Sequence, residues 1–146
     1  MYKVSLAIPI YNVSLFVERA LLSVLNQTYD NIEYLIVDDK GQDDSMDIVH
    51  RIIKDHPRGK DVRIIEHPYN IGLGATRNTA IDNAQGEYLF FMDSDDEIIP
   101  TCIEILVHKM QEHPVDFIAA SHMKKDLSGK TYPTRSEERR VGKECR

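Results

Sequence analysis

The sequence predicts an α/β fold in which a mainly parallel sheet is flanked by helices. The first observation is that strand-like apolar runs alternate with helix-like patterns over residues 3–120, with short connections between them. The second is that several of these runs end abruptly at acidic or amide residues, where ligands bind in open sheets of this class. Because successive parallel strands are joined by right-handed crossovers, the alternation favours a doubly wound sheet.

The first two strands are predicted over Val4–Ile10 and Glu33–Val37, which are short apolar runs. Pro9 is expected to end the first strand, because proline cannot donate to a ladder. Ser14 is expected to cap a helix that runs to about Asn26. The residues of that helix expected to pack on the sheet share one face, and they are Val17, Leu21, Val24 and Leu25.

A second helix is predicted after the polar loop at residues 40–44. Asp44, Ser45 and Asp47 place capping and acidic groups in its first turn, where the helix dipole favours negative charge. Its inner face is expected to contain Val49, Ile52 and Ile53. Residues 56–59 are expected to close it.

The third strand is predicted over Val62–Glu66, and residues 71–74 are expected to open a third helix that Gly86 terminates as a C-cap glycine. The aromatic run from Glu87 to Met92 predicts a buried fourth strand. A fourth helix after Pro100 and a fifth strand over Val115–Ala120 complete the pattern. The inward-facing residues expected on the fourth helix are Ile103, Leu106, Val107 and Met110.

Composition and charge narrow the classes of function. The 146 residues suffice for one domain with a sizeable core. The formal net charge of −6 argues against nucleic-acid binding, which usually requires a basic face. Cys102 and Cys145 lie in segments of different character, so we expect no disulfide and a reducing, cytoplasmic compartment. No signal peptide and no membrane-spanning stretch are predicted.

The end of the chain is expected to lie outside the folded domain. Periodicity fades after about Lys124, so we predict a domain over residues 1–124 and a polar tail over residues 125–146. Residues 135–146 are highly charged with almost no apolar side chains, which is typical of a disordered or vector-derived segment. A basic interaction tail is the alternative.

The fourth apolar run stops at a dense group of carboxylates, Asp93, Asp95 and Asp96. Such carboxylates repel one another unless a cation lies among them. Asp93 and Asp95 are therefore candidate ligands for Mg²⁺ or Mn²⁺, which would keep open positions for a diphosphate. The alternative is a solvated acidic turn. Asp96 is expected to cap the next helix or to support the ligands.

Three polar clusters follow predicted strands, and the carboxyl ends of parallel strands share one edge. The clusters comprise Pro9, Tyr11 and Asn12 after the first strand, Asp38 and Asp39 after the second, and Asp93, Ser94 and Asp95 after the fourth. Together they suit a nucleotide diphosphate.

Individual residues suit different parts of that ligand. Tyr11 can stack on a base, which is worth roughly 1–3 kcal/mol. Asp39 can accept a hydrogen bond from a base N–H, and Asp38 can orient the loop or meet a ribose hydroxyl. Gly72 allows the backbone to approach a phosphate at a helix N-terminus, and Arg77 adds a cation. The alternatives are a packing tyrosine, helix capping by the acids, and a salt bridge for Arg77.

Taken in order and spacing, the motifs resemble the inverting family 2 glycosyltransferases of the GT-A fold over about residues 3–120. The motifs are Pro9-Ile10-Tyr11-Asn12, Ser23-Val24-Leu25-Asn26-Gln27-Thr28-Tyr29, Val37-Asp38-Asp39, Asn70-Ile71-Gly72, Ala75-Thr76-Arg77-Asn78 and Phe91-Met92-Asp93-Ser94-Asp95-Asp96. The resemblance implies a GT-A, Rossmann-like sheet. It also implies that the positions of Tyr11 and Asp39 bind the nucleobase, often uracil, and that Asp93 and Asp95 coordinate Mg²⁺ or Mn²⁺ on the diphosphate of the sugar nucleotide.

The implied function is metal-dependent, inverting sugar transfer from a UDP-linked nucleotide-sugar donor to a saccharide or lipid-linked acceptor, in polysaccharide biosynthesis at the inner face of the membrane. An inverting transfer needs a base that deprotonates the acceptor, and we identify none here. Family members are usually longer, so we expect a truncated chain that carries mainly the donor-binding half, with an exposed sheet edge that favours self-association.

The sequence departs from the family at residues 38–45, where the commonest loop reads Asp-Asp-Gly-Ser-x-Asp and Lys40 stands at the glycine position. Two alternatives remain open, namely a non-catalytic fragment that binds nucleotide sugar and metal, and another magnesium-dependent α/β phosphotransfer enzyme. The second is disfavoured because phosphatases place their acidic pair after the first strand, and receivers place theirs after the third. A glycine-rich turn for NAD is also missing after the first strand.

Overall fold

Four parallel strands form the main sheet in a computed structural model, which describes residues 1–133. The strands are β1 (Val4–Ile10), β2 (Ile32–Asp38), β3 (Val62–Glu66) and β4 (Tyr88–Phe91). They lie in the order β3-β2-β1-β4, and each neighbouring pair is parallel. The predicted α/β class with a mainly parallel sheet is confirmed.

Four α-helices connect or follow the strands, namely α1 (Val17–Leu25), α2 (Ser45–Asp55), α3 (Leu73–Asn83) and α4 (Cys102–Glu112). A short 3-10 helix over Pro57–Asp61 connects α2 to β3. The predicted inner faces are largely confirmed. Ile103, Val107 and Met110 of α4 are buried, and Val49 and Ile52 of α2 are buried while Ile53 is half-buried.

The core has one layer on each side of the sheet, because alternate residues of a strand face opposite sides. Leu6 and Ile8 of β1 belong to the larger cluster, which includes α1, α2 and the first turns of α4. Ala7 of β1 belongs to a smaller cluster with Leu35 and Val37 of β2 and Ala80 of α3. Each aliphatic side chain that is fully buried in these layers contributes roughly 1.5–3 kcal/mol. The helices therefore cover both faces, as a doubly wound sheet requires.

The predicted helix caps are wrong in detail. α1 begins at Val17 rather than after Ser14, and the turn before it is closed by the carbonyl of Val13, which accepts the amides of Phe16 and Val17. The amide of Ser14 donates instead to Asp43. At α2, Asp44 stands at the N-cap without a side-chain bond.

Two further boundaries differ from the prediction. Gly86 is not the C-cap of α3, since that position is Ala84, and the amide of Gly86 donates to the Ser5 hydroxyl of β1. β1 continues through Pro9 to Ile10 on the β2 side, whereas its β4 ladder ends at Ala7. Proline lacks the amide that would extend a ladder, so Pro9 is tolerated where β1 pairs on one side only.

β4 is less buried than predicted. It lies at the edge of the sheet that residues 1–133 form, three of its residues are half-buried, and Phe91 is 38% exposed. The predicted strand over Val115–Ala120 is wrong, since those residues form no strand and Val115 and Phe117 are exposed. The apolar run alone suggested a strand, but a strand also needs a partner.

Backbone contacts divide the chain into two units, of which the first is Met1–His108 and the second begins at Lys109. In the second unit, β5 (Met123–Lys125) and β6 (Thr131–Pro133) form an antiparallel hairpin. Its turn is held by Asp126, which accepts hydrogen bonds from Ser128 and Lys130. The tail predicted over residues 135–146, with Cys145, lies outside the described residues.

None of the helices described in residues 1–133 combines the length and apolarity needed to cross a bilayer.

Candidate functional site

The carboxyl ends of the strands meet at one edge of the sheet, where the predicted polar clusters lie. Ile10 pairs with Asp38 and Asp38 pairs with Glu66, so β1, β2 and β3 end at the same level. β4 ends beside β1, with Phe91 opposite Ala7. The loops that follow these strands therefore leave the sheet side by side, as the sequence predicted.

The loops after β1 and β2 are held together by three hydrogen bonds between side chains and backbone amides. The Asn12 side chain accepts the Gln42 amide at 2.8 Å, Asp43 accepts the Ser14 amide at 2.9 Å, and Ser45 accepts the Val13 amide at 2.9 Å. A Cβ on Gly41 would lie 2.7 Å from the Asn12 amide oxygen, so glycine is required there.

Asp43 is the capping acid of this region rather than Asp44. Its carboxylate accepts the amide and the hydroxyl of Ser45 at 3.1 and 2.6 Å, which satisfies the start of α2. Burial raises the pKa of the Asp43 carboxyl, but the hydrogen bonds from Ser45 and Ser14 outweigh burial, so the pKa is lowered overall. The carboxylate is therefore ionised at neutral pH.

Asp39 is buried and accepts four hydrogen bonds. Oδ1 lies 2.8 Å from His67 Nδ1 and 2.9 Å from the Ile71 amide. Oδ2 lies 3.1 Å from Asn70 Nδ2 and 3.0 Å from the Gly72 amide. These contacts fill the roughly four lone-pair positions of a carboxylate. Asp39 thus anchors the loop that precedes α3.

The same contacts lower the pKa of Asp39. Burial alone raises the pKa of this carboxyl, and the amide of Ile71, the ring of His67 and the amide of Gly72 together outweigh that effect. An ionised carboxylate can only accept hydrogen bonds, so the His67 nitrogen that faces it carries a hydrogen.

Asp38 lies at the end of β2 and is tied to its own loop. Its carboxylate accepts the Lys40 amide at 2.9 Å, and the Lys40 ammonium lies 3.6 Å from it and 2.8 Å from Glu66. Lys40 has a φ of 54°, a left-handed conformation that favours glycine. Lys40 therefore adopts the left-handed conformation where the family loop has glycine, and its ammonium pairs with Asp38 and Glu66.

Gly72 and Arg77 belong to the start of α3. Gly72 has a φ of 90°, and its amide and that of Ile71 are donated to Asp39. Arg77, on the following turns, lies 3.4 Å from an oxygen of Asp93. The structure thus brings Arg77 to the acidic cluster, which was one of the two roles considered for it, and the loop from Asp39 is linked through α3 to the end of β4.

The acidic cluster after β4 consists of Asp93, Asp95 and Asp96. One ligand atom from each carboxylate lies within 4.8 Å of the others, and all three residues are exposed. Asp96 does not cap a helix, because α4 begins only at Cys102 and the Asp96 amide donates to the carbonyl of Asp93. Asp93 also lies 3.4 Å from the Arg77 guanidinium. The three converging carboxylates form a donor set suited to a hard divalent cation with oxygen ligands.

The remaining predicted residues also lie at this edge. Tyr11 follows β1 and is 46% exposed, so its side chain is accessible at this edge. Pro9 lines a shallow apolar depression together with Thr76, Arg77 and Phe91. Ser94 is buried within the acidic turn.

Sequence reasoning gave no role to three residues that organise the site, namely Asp43, His67 and Asn70, although Asn70 belongs to a motif that supports the family resemblance. Asp43 could have been found from its position two residues before Ser45, a spacing typical of a local side-chain cap. The partners of His67 and Asn70 are 28 and 31 residues away in sequence, and no local signal predicts such contacts.

The protein resembles known glycosyltransferases both in sequence and in fold. The family described as "Glycosyl transferase family 2" matches residues 5–145. An uncharacterized glycosyltransferase of Haemophilus influenzae is 34% identical over 126 residues, covering 86% of this chain and 49% of that protein. The Escherichia coli protein WfaP, named UDP-Glc:alpha-D-GlcNAc-diphosphoundecaprenol beta-1,3-glucosyltransferase, is 39% identical over 119 residues, covering 80% of this chain and 45% of its own length. The chain thus spans less than half the length of these curated relatives.

Two solved structures share the fold. Residues 1–349 of TarS from S. aureus, in complex with UDP, match with a TM-score of 0.70 and 25% identity, covering 82% of this chain and 38% of that one. The mannosyltransferase PcManGT from Pyrobaculum calidifontis, in complex with GDP-Man and Mn²⁺, matches with a TM-score of 0.62 and 26% identity, covering 66% and 28%.

Proposed function

This chain belongs to glycosyl transferase family 2, and we propose that it forms the donor-binding part of an enzyme that transfers a sugar from a UDP-linked donor with inversion. The observation that carries the proposal is the cluster of Asp93, Asp95 and Asp96, whose carboxylates converge beside Arg77 at the carboxyl edge of the sheet. A sugar nucleotide needs a base site, a ribose site and a diphosphate site, and the loops at this edge offer groups for each.

The nucleotide is proposed to lie along the ends of β1 and β2. Tyr11 would stack on the base, and Asn12 and Pro9 would shape the loop beneath it. Asp38 and Asp39 would face the base and ribose, with Asp39 acting chiefly through the groups that it holds, since its own oxygens already accept four hydrogen bonds. Support for UDP comes from TarS, which was solved with UDP, and from WfaP, which is named for UDP-Glc.

The diphosphate is proposed to lie beside Arg77, Asp93 and Ser94. Mg²⁺ or Mn²⁺ fits the donor set, because Asp93 and Asp95 offer carboxylate oxygens from one short turn, with Asp96 adjacent. When bound, such a cation supplies Lewis-acid neutralisation of charge on the leaving diphosphate. PcManGT was solved with GDP-Man and Mn²⁺, which supports the use of a divalent ion.

The acceptor is proposed to be a saccharide or a lipid-linked glycan at the inner face of the membrane, in polysaccharide biosynthesis. The support is the name of WfaP, which includes a diphosphoundecaprenol acceptor. Inversion requires a base on the side of the sugar opposite the diphosphate. We assign no residue of this chain to that role, so a nucleotide-sugar-binding unit without transfer is the second candidate.

The donor proposal is tested by nucleotide-dependent stabilisation. We expect UDP with Mn²⁺ to raise the melting temperature, since a ligand that binds only the folded state stabilises it by mass action. Asp95→Asn should abolish most of that rise, because it removes one anionic ligand at nearly constant shape. Thermal-shift measurements with UDP, GDP and ADP, each with and without Mn²⁺, check both points.

The matched control is Asp82→Asn, which changes an exposed acid on α3 outside the cluster. The control should keep the full stabilisation by UDP and Mn²⁺. An equal rise in Asp95→Asn and in the unaltered chain would remove the metal role, and no rise with any nucleotide would remove the donor site.

A further inference from the structure

His67 is a buried residue beneath the loops of the candidate donor site. The inference about its role rests on the proposed function and extends it. His67 follows β3 directly and is 6% exposed. Its Nδ1 lies 2.8 Å from Asp39 Oδ1, and its Nε2 lies 2.8 Å from the Thr79 hydroxyl on α3. The ring therefore bridges the acid at the end of β2 and the helix that follows β3.

The direction of the first bond follows from chemistry. Asp39 is ionised at neutral pH and can only accept, so Nδ1 carries the hydrogen that lies between them. In a neutral ring Nε2 is then the acceptor, and the Thr79 hydroxyl, which also lies 3.1 Å from the Ala75 carbonyl, can donate to it. Both ring nitrogens are thus occupied by partners on separate elements.

What His67 holds in place lies further along the chain. Asp39 binds the amides of Ile71 and Gly72, the residues immediately before α3. α3 then carries Arg77 to within 3.4 Å of Asp93. A shift of the Asp39 carboxylate would therefore move the start of α3 and, with it, Arg77.

We propose that His67 is a positioning residue for donor binding, which acts by donating from Nδ1 to Asp39 and so fixing the loop at residues 70–72 and the start of α3. The Nδ1 contact is the essential one, and the Nε2 contact to Thr79 is secondary. His67 itself does not touch the donor.

Two near-isosteric substitutions separate the two ring nitrogens. In His67→Asn the side-chain amide nitrogen can take the place of Nδ1 and still donate to Asp39, whereas it cannot reach Thr79. In His67→Gln the amide nitrogen lies near the place of Nε2, so the contact to Thr79 is kept and that to Asp39 is lost. A residue that mattered only for filling space would respond to both changes alike.

The experiment measures two quantities on the full chain with each substitution. Amide hydrogen exchange by NMR reports the Ile71 and Gly72 amides without any ligand, and calorimetry reports the affinity for UDP with Mn²⁺. We expect His67→Asn to keep amide protection and most of the affinity. His67→Gln should expose both amides and weaken UDP binding by about tenfold or more, the effect of one lost buried hydrogen bond. His50→Gln, at an exposed histidine on α2, is the control and should change neither quantity.

The outcomes separate this inference from the proposed function. If the unaltered chain binds no nucleotide, the donor proposal fails, and the exchange of Ile71 and Gly72 still decides the role of His67. Protection that survives in His67→Gln would overturn the inference. Equal loss in both substitutions, with an equal fall in melting temperature, would also overturn it, since that result indicates packing alone.

Discussion

At the scale of single residues, the site depends on acids whose charge is stabilised by the folded chain. Asp39 is the clearest case, because its carboxylate is buried yet accepts hydrogen bonds from two backbone amides and from two side chains. Removing the charge leaves those donors facing a weaker acceptor. The loss of stability on removing this charge should therefore depend on pH. Because the pKa of Asp39 is lowered in the folded protein, the loss should be larger at neutral pH than at acid pH.

We expect Asp39→Asn to lower the free energy of unfolding by roughly 3 kcal/mol at pH 7, as for a broken buried pair. The ordinary pKa of an aspartate is 3.8, and that of Asp39 is lower in the folded protein. The stabilisation by its charge is thus fully present above pH 3.8 and is lost as the pH falls through the folded value. The difference in free energy of unfolding between the unaltered protein and Asp39→Asn should accordingly become smaller below about pH 4.

Urea unfolding across this pH range measures the gap, with Asp82→Asn as an exposed control. A gap that stays constant from neutral to acid pH would contradict the charge-based account and would leave only a packing effect.

At the scale of elements, the start of α3 depends on one unusual backbone conformation. Gly72 precedes the helix with φ 90° and ψ 164°, a region that is essentially restricted to glycine, and a Cβ there would meet no neighbouring atom. The requirement is therefore conformational and not steric. Gly74, two residues on, has ordinary helical geometry and equally open surroundings.

The two glycines should respond in opposite directions to alanine. Gly72→Ala should destabilise the protein by about 1–3 kcal/mol through backbone strain. Gly74→Ala should stabilise it by about 0.5–1 kcal/mol, because alanine loses less entropy in a helix. Chemical denaturation of both variants gives the comparison, and a destabilised Gly74→Ala would refute the account.

The elements that sequence reasoning predicted are those whose signals are local. The four parallel strands and the inner faces of α2 and α4 follow from apolar periodicity, and the convergence of the acidic side chains after β4 follows from carboxylates adjacent in sequence. The wrong predictions concern elements whose structure depends on residues far away in the sequence. Ser14 has the chemistry of a cap, but α1 begins three residues later at Val17, and the loop that contains Ser14 is tied to Asp43, 29 residues away. Residues 115–120 have the composition of a strand and lack a neighbour to pair with.

The same limit applies to the site. Tyr11, Asp38, Asp39, Arg77 and Asp93 were predicted to share one edge, and they do, because parallel strands fix which ends meet. The sequence could not predict that Asp39 accepts four hydrogen bonds from residues 67–72, which follow β3. Those four donors approach Asp39 only once the sheet has formed.

At the scale of the whole molecule, the unit Met1–His108 carries the proposed sugar-nucleotide-binding groups at the carboxyl edge of its sheet. The acids that converge there, Asp38, Asp39 and the cluster after β4, are all assigned to the nucleotide or its cation in our proposal. We therefore expect this 146-residue chain to bind UDP-sugar without transferring it. Incubation with radiolabelled UDP-sugars and with saccharide and lipid-linked acceptors measures transfer directly.

A full-length family 2 enzyme with a known acceptor is the positive control for that assay. Turnover by the 146-residue chain would show that it contains a base that we have not identified, while leaving the donor site intact.

The clasp between the loops after β1 and β2 has a consequence for natural variation. Each of its three bonds joins one side chain, from Asn12, Asp43 or Ser45, to a main-chain amide of the opposite loop. Any residue except proline supplies that amide, so substitutions at Gln42 and Ser14 keep the hydrogen bonds, whereas substitutions at Asn12 and Asp43 remove them. Two of the six positions, Gln42 and Ser14, are thereby open to new surface chemistry, whereas Val13 also packs against the core.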